Sequence, residues 1–307
     1  MSSSKSAESL PLVSVIMPFS RPLLAKAVLE KLMRQTYPAG LTEILLVGAT
    51  SKSLAELYPI KAIETPPIYY PGIARNIGAR SAAGTYLLFL DDDCEPAPDW
   101  IEQNICILEG TDFGAVGGQI AGKSKAFFAR CVDFSRFGFS QSNKAAVTWV
   151  CSASLGVQRS AFEQVQGFNE ELRSEEDIDF CYRLMQAGYK TAYHPAIKVR
   201  HDHRRASFLA LMHYSYFYGR VSGLYVKRLY AQMSLRNAIL TRLQHPLLYP
   251  LVIIPISLGA TVNIVRLNIR EYPVVMLYAP FIFLSKAATH IGIWLWLLRG
   301  QPIMADH

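Results

Sequence analysis

Tyr86-Leu87-Leu88-Phe89-Leu90-Asp91-Asp92-Asp93 joins an apolar run directly to three adjacent carboxylates. The five residues ahead of the acids have the length and composition of a strand buried on both faces. Three neighbouring anions repel one another, so a fold that keeps them together supplies a cation. Asp91 and Asp93 lie two positions apart and reach one ion if the chain turns at the strand end. Their hard oxygens suit Mg²⁺ or Mn²⁺. On the triplet alone, a solvated acidic turn leading into the loop of Glu95, Pro96 and Pro98 is an equal reading.

Outward from this strand the chain alternates strand and helix patterns. Val13-Ser14-Val15-Ile16-Met17-Pro18 reads as a first strand. Leu24, Ala27, Val28 and Leu32 predict a helix over 22–36, broken by Pro38 and Gly40, and a second strand follows at 43–47. Residues 74–83 read as a helix with small residues on one face and Gly84 as its C-cap. Strand-like runs recur at 115–120 and 147–157. Ser174 predicts a helix start with Asp177 three residues on, in the manner of a capping box. That helix carries Ile178, Cys181, Leu184 and Met185 on one side and ends at Gly188. The alternation implies an α/β fold, a mainly parallel sheet with helices on both faces. Ligands of such sheets bind beyond the carboxyl ends of the strands, where Asp91–Asp93 lie.

Of the 307 residues, 51% are hydrophobic and only 18% charged, which is apolar for a soluble protein. The excess is uneven: residues 246–307 hold four Lys/Arg and two Asp/Glu. Residues 246–265 are uncharged and long enough to cross the roughly 30 Å hydrocarbon core, though Pro246, Pro250 and Pro255 interrupt them. Residues 272–298 are longer but contain Lys286 and His290, and a charge at mid-span is costly. Trp294, Trp296 and Arg299 suit an interfacial end. A buried hairpin of a soluble protein is the alternative. The net charge of +7 concentrates just before this tail, with nine Lys/Arg from Lys198 to Arg242 against one acid, Asp202. A basic stretch flanking an apolar segment marks the cytoplasmic side and attracts anionic headgroups. With no recognition motif beside it, the charge argues against nucleic acid. Residues 207–230, aromatic and basic, read either as a helix on the bilayer surface or as a helix packed on the domain. Five scattered cysteines without a C-x-x-C pair fit a reduced compartment. No apolar segment follows a basic start, so no secretion signal is expected.

The triplet has company. Upstream stand Pro71-Gly72-Ile73-Ala74-Arg75-Asn76-Ile77-Gly78-Ala79-Arg80 and Ala83-Gly84-Thr85-Tyr86. Downstream stand Gln166-Gly167-Phe168-Asn169-Glu170 and Ser174-Glu175-Glu176-Asp177-Ile178-Asp179-Phe180. In this order and spacing, from about Val13 to His203, the chain resembles the inverting family-2 glycosyltransferases of GT-A fold. The resemblance implies a Rossmann-like GT-A domain over 11–205; composition adds a disordered stretch over 1–10, a basic, aromatic juxtamembrane region over 206–245 and two membrane segments over 246–307. It puts Asp91 and Asp93 on the family's D-x-D motif, which binds a divalent metal (Mg²⁺ or Mn²⁺) and the nucleotide diphosphate, with Asp92 beside the nucleotide. Pro18, Phe19 and Arg21 fall on a nucleotide-contacting loop, and Arg75 on the segment beside the nucleotide. Asp177, with Glu176 next to it, falls on the motif whose acid is the general base. His201 falls on a histidine that caps the metal site in some GT-A enzymes. Without the resemblance, Glu175, Glu176 and Asp177 read first as acids stabilising a helix N-terminus; Arg75 reads also as a surface arginine, and His201 and His203 as interfacial side chains.

Two departures stand out. The family's acid after the second strand is missing: that place reads Val47-Gly48-Ala49-Thr50. The loop Pro18-Phe19-Ser20-Arg21-Pro22 is also a residue short. No Q-x-x-R-W follows Asp177, which favours addition of a single sugar over processive synthesis. The expectation is a metal-dependent, inverting transferase at the inner (cytoplasmic) membrane, its catalytic domain facing the cytoplasm. It moves one sugar from a nucleotide-sugar donor to a hydroxyl of a lipid-linked or cell-surface glycan acceptor. The alternatives are a polyprenyl-phosphate sugar synthase and a non-catalytic membrane protein that keeps the fold.

Overall fold

The structure, a computed structural model, describes residues 10–49, 51–67, 70–138, 146–221 and 245–299. In chain order the first half holds β1 (Val13–Pro18), α1 (Pro22–Leu32), β2 (Thr42–Gly48), α2 (Lys52–Ala55), β3 (Lys61–Glu64), α3 (Pro71–Ser81) and β4 (Tyr86–Leu90). Then come β5 (Cys94–Pro96), α4 (Trp100–Glu109), β6 (Phe113–Gly122), α5 (Phe127–Phe137), β7 (Ala146–Val147), β8 (Ser154–Gln158) and α6 (Arg159–Gln164). The chain continues through α7 (Glu176–Gln186), β9 (Lys190–His201), α8 (Phe208–Val221), α9 (Tyr249–Asn268) and α10 (Val275–Arg299). Among the described residues the strands form one sheet in the order β3-β2-β1-β4-β8-β6-β9-β5, with β7 beside β9.

The expected parallel arrangement holds from β3 to β4. Beyond β4 the sheet is mixed, because β8 lies antiparallel to both β4 and β6. An apolar run records that a strand is buried, not which way it points. The reversal has a consequence for the cleft. Leu90 pairs with Ser154, so the loop entering β8 arrives at the same sheet end as Asp91.

The run at 86–90 is continuous because both of its faces are covered. Leu88 and Leu90 pack with Val15, Met17, Leu29, Trp100 and Ile105, while Leu87 and Phe89 pack with Ile16, Phe162, Phe168, Phe180 and Leu184. Helices thus cover both faces, as expected. Gly84 is not the C-cap of α3: that place is taken by Ala82, in extended conformation. Gly84 instead lets β1 approach, since a Cβ there would lie 2.5 Å from the Ser14 nitrogen. The helix expected from Ser174 starts at Glu176, with no side-chain cap and Glu175 left-handed ahead of it (φ 63°, ψ 21°). The single strand expected over 147–157 is two, β7 and β8, separated by a loop.

α9 and α10 are long and apolar enough to cross a membrane, with mean hydropathies of 1.7 and 1.5. Their polar groups turn inward. Lys286, the charge that looked costly at mid-span, donates to the Ser135 carbonyl of α5 at 2.5 Å. Ser285 joins Ser135 and Ser215 through hydroxyl contacts of 2.7 Å each, and His290 Nδ1 meets the Tyr249 hydroxyl at 2.8 Å. The outer side is apolar, with Leu251, Ile254 and Leu277 each at least 66% exposed. α8 packs on α10 at close range, since a Cβ on Gly219 would sit 1.8 Å from the Thr289 carbonyl oxygen. Of the two readings of 207–230, the packed helix describes residues 208–221; residues 222–244 lie outside the described part.

Candidate active site

β1 and β4 are neighbours, yet the chain leaves β1 toward β2 and returns to β4 on the other side. This is the switch point at which open α/β sheets bind ligands. A cleft of about 330 Å³ opens there. Pro18, Phe19, Arg21, Arg75, Asp91, Asp92, Asp93, Glu176, Asp177 and His201, the ten residues picked out by sequence, all line it.

The cations demanded by three adjacent acids are arginines. Asp92 is buried and accepts the Ser20 and Arg21 amides at 2.8 Å each, together with the Arg21 side chain. Arg21 also reaches Asp93 at 2.5 Å. Asp92 therefore ties the short loop after β1 to the end of β4. Asp93 is buried beside His201, whose Nε2 lies 3.2 Å from its Oδ2. Burial works against its ionisation, but His201 and Arg21 prevail and hold the Asp93 carboxyl down at about 2. It stays an anion at any physiological pH.

Arg75, on α3, is buried and links the two acidic clusters. One amino group meets Asp91 at 2.6 Å and the other meets Glu176 at 2.5 Å. The next residue, Asn76, holds the 166–175 segment: it donates to the Phe168 carbonyl at 2.8 Å and accepts the Phe168 amide at 2.9 Å. So α3 sets the distance between the end of β4 and the start of α7. Removing one side of a buried ion pair costs about 3–5 kcal/mol. Arg75→Met is accordingly expected to lower unfolding free energy by about that amount in a urea titration.

Asp177, partly exposed on the cleft wall, accepts the Ser152 amide at 3.2 Å. Ser152 Oγ donates to Glu176 at 3.2 Å. Burial and the neighbouring Glu176 charge push the Asp177 carboxyl up to about 7. A carboxylate with that affinity for protons is matched to accepting one near neutral pH. Ser152 carried no sequence pattern of its own; only the reversed direction of β8 brings its loop here. Arg136 and Arg173, which also line the cleft, were equally silent in the sequence; Arg205, Tyr214 and Tyr218, on the same wall, read there only as part of the basic, aromatic stretch before the tail.

For a divalent cation, Asp93, Cys94 and His201 present ligand atoms within 4.8 Å of one another. Burial pushes the Cys94 thiol well above its ordinary range, so it is protonated and a poor partner for a hard ion. Carboxylate oxygen from Asp93 and imidazole nitrogen from His201 are donors that Mn²⁺ or Mg²⁺ accepts; Asp91 lines the same cleft but lies outside that cluster, its carboxylate paired with Arg75. At the end of β2, where the family's acid is missing, the backbone is tight: a Cβ on Gly48 would lie 2.2 Å from the Phe19 carbonyl oxygen.

Residues 14–150 match glycosyl transferase family 2, and residues 94–296 match glycosyl transferase family group 2. The chain belongs to the family-2 glycosyltransferases. It is 28% identical over 153 residues to pre-mycofactocin glycosyltransferase of Mycobacterium tuberculosis, an alignment covering 47% of this chain and 33% of that one. It is 29% identical over 202 residues to glycosyltransferase AglE of Haloferax volcanii, covering 60% of this chain and 65% of the relative. The chain thus spans less than two thirds of either. Among solved structures it is similar to the mannosyltransferase PcManGT from Pyrobaculum calidifontis in complex with GDP-Man and Mn²⁺. The TM-score is 0.63 at 18% identity, over 95% of this chain and 88% of that one. The likeness shows the GT-A fold.

Proposed function

We propose that this protein is a metal-dependent, inverting glycosyltransferase. It transfers one sugar from a nucleotide-sugar donor to a hydroxyl of a lipid-linked or cell-surface glycan precursor at the cytoplasmic face of the inner membrane. The observation that carries the reading is a single cleft lined by Asp91 and Asp93 on one element and by Asp177, with its raised proton affinity, on another.

Asp91, Asp93 and His201 would hold the cation, which neutralises charge on the leaving diphosphate when bound. Asp177 takes the proton from the attacking hydroxyl. Arg75 keeps the two acidic groups in register, and Asp92 acts through the 19–21 loop whose amides it binds. A base opposite the leaving group makes the transfer a single displacement with inversion. The relatives are named as glycosyltransferases, and the structural neighbour holds GDP-Man with Mn²⁺. The apolar hairpin of α9 and α10 supports a site held at a bilayer, where membrane-bound acceptors reach high effective concentration.

A screen of donor hydrolysis across nucleotide sugars, with Mn²⁺ present, tests the reading. Release of nucleoside diphosphate from one donor class is expected. A folded protein that binds and hydrolyses none of them would instead be a non-catalytic relative.

A further inference from the structure

The acidic groups occupy only part of the cleft. The rest of its wall carries Arg136 from α5, Arg173, and Arg205 just after β9, together with Tyr214 and Tyr218 of α8. Among the described residues none of these three arginines has an ion-pair partner, although six other arginines of the fold do. Arg136 Nε is enclosed and makes no hydrogen bond there. The guanidiniums are held flat by aromatic rings. Arg205 lies 4.0 Å over Tyr214, and Arg136 lies 4.0 Å over Tyr218. The two rings pack edge to face at 4.7 Å. Stacking fixes a guanidinium in place while leaving its N–H edge to meet an oxyanion; Arg205 gives one N–H of that edge to the His203 carbonyl at 3.3 Å.

We infer that Arg136, Arg173 and Arg205 form a phosphate subsite for the acceptor, which is a lipid carrying a phosphate or diphosphate next to the sugar that accepts. The inference rests on the glycosyltransferase reading for which part of the cleft the acceptor enters. One consequence of that reading and two observations favour the acceptor over the donor. The donor diphosphate already has a counter-charge in the cation that Asp91 and Asp93 would hold. Arg136 lies close enough to Asp177 for its charge to act on that carboxyl, which places the arginines beside the candidate base. The tyrosines that carry them sit on α8, the helix packed against the apolar hairpin, so a lipid headgroup lifted from the bilayer reaches this wall directly. Planar, doubly donating guanidiniums suit phosphate oxygens better than they suit a neutral glycan.

The test is calorimetry on the full-length protein in detergent, with EDTA present so that no cation bridges phosphate to the acidic wall. Farnesyl diphosphate is the probe, compared with farnesol and with inorganic pyrophosphate. The expected result is that farnesyl diphosphate binds at least about tenfold more tightly than either, since each charge-assisted hydrogen bond is worth a factor of that order. Arg136→Gln and Arg205→Gln lower that affinity by about tenfold or more, and Arg136→Lys restores part of it. Arg173→Gln, which disturbs no aromatic stack, lowers it with an unchanged Tm, so loss of folding cannot mimic the effect. Nucleotide-sugar binding in Mn²⁺ is unaffected by these changes. Equal affinity for farnesol, or for pyrophosphate, overturns a lipid phosphate as the ligand. Arginine variants that weaken nucleotide-sugar binding as much as lipid binding assign the arginines to the donor instead. Because the readout is binding, a protein that takes farnesyl diphosphate but transfers no sugar refutes the catalytic reading and leaves the subsite standing.

Discussion

Asp177→Asn lowers turnover by about 10²–10⁴-fold while nucleotide-sugar affinity survives. The amide keeps the shape and can still face the Ser152 loop, but it cannot take a proton. The raised proton affinity of Asp177, about 7 and set by burial and Glu176, adds a pH signature. The base works only when ionised, so kcat/KM of the wild type rises through neutral pH and levels off above it. The same shift makes a stability statement of opposite sign. A carboxyl that binds its proton more tightly folded than unfolded costs the native state nothing below the unfolded value near 4. It costs progressively more as pH climbs to 7, and the cost stays constant beyond. Asp177→Asn removes that cost, so the variant is more stable than wild type at pH 8, by on the order of 2 kcal/mol. The gain shrinks as the pH falls toward 4, and thermal melts at the two pH values measure it. An inactive, stabilised variant is the outcome expected of a side chain kept for chemistry rather than for folding. Full turnover in the variant would point to an acceptor that arrives already ionised, as in a polyprenyl-phosphate sugar synthase.

Asp93→Ala abolishes Mn²⁺-dependent nucleotide-sugar binding, and EDTA does the same to the wild type. Asp93 is buried and ionised at every physiological pH, held so by His201 and Arg21. Its loss takes away a central anion of the cation site and leaves Arg21 with Asp92 alone. In titration calorimetry the binding heat falls below detection, equivalent to a loss of at least about 100-fold. Asp91→Asn weakens binding less, since Asp91 is 28% exposed and shared with Arg75. Donor affinity that persists unchanged in EDTA would remove the metal from the mechanism.

The fold was legible where burial on two faces writes itself into composition. Leu87 to Leu90 serve two cores at once, and no polar residue fits there. It was illegible where pairing is the cause. β9 reads Lys190-Thr191-Ala192-Tyr193-His194-Pro195 before its alternating end, a pattern neither alternating nor apolar, and it is a strand because β6 pairs along it. β3 has only four residues, none of them buried, and β5 has three. In the cleft, local motifs pointed to Asp91, Asp93, Arg75 and Asp177, since each sits in a short recognisable segment. What Arg75 does was hidden, because Glu176 is 101 positions away in the chain. Asp92 reads in the sequence as a neighbour of the nucleotide, and the turn at the strand end commits its carboxylate to the Ser20 and Arg21 amides. The arginines on α5 and after β9 stand among many basic residues, and only tertiary packing singles them out.

One product measurement bears most directly on a base and a leaving group that work from opposite sides of the sugar. With an α-linked nucleotide sugar as donor, proton NMR of the newly formed linkage gives the anomeric configuration. Attack by a hydroxyl deprotonated at Asp177 yields the β-anomer. An α-linked product would mean that the sugar leaves with its configuration retained, and the roles assigned to the two acidic walls would be wrong.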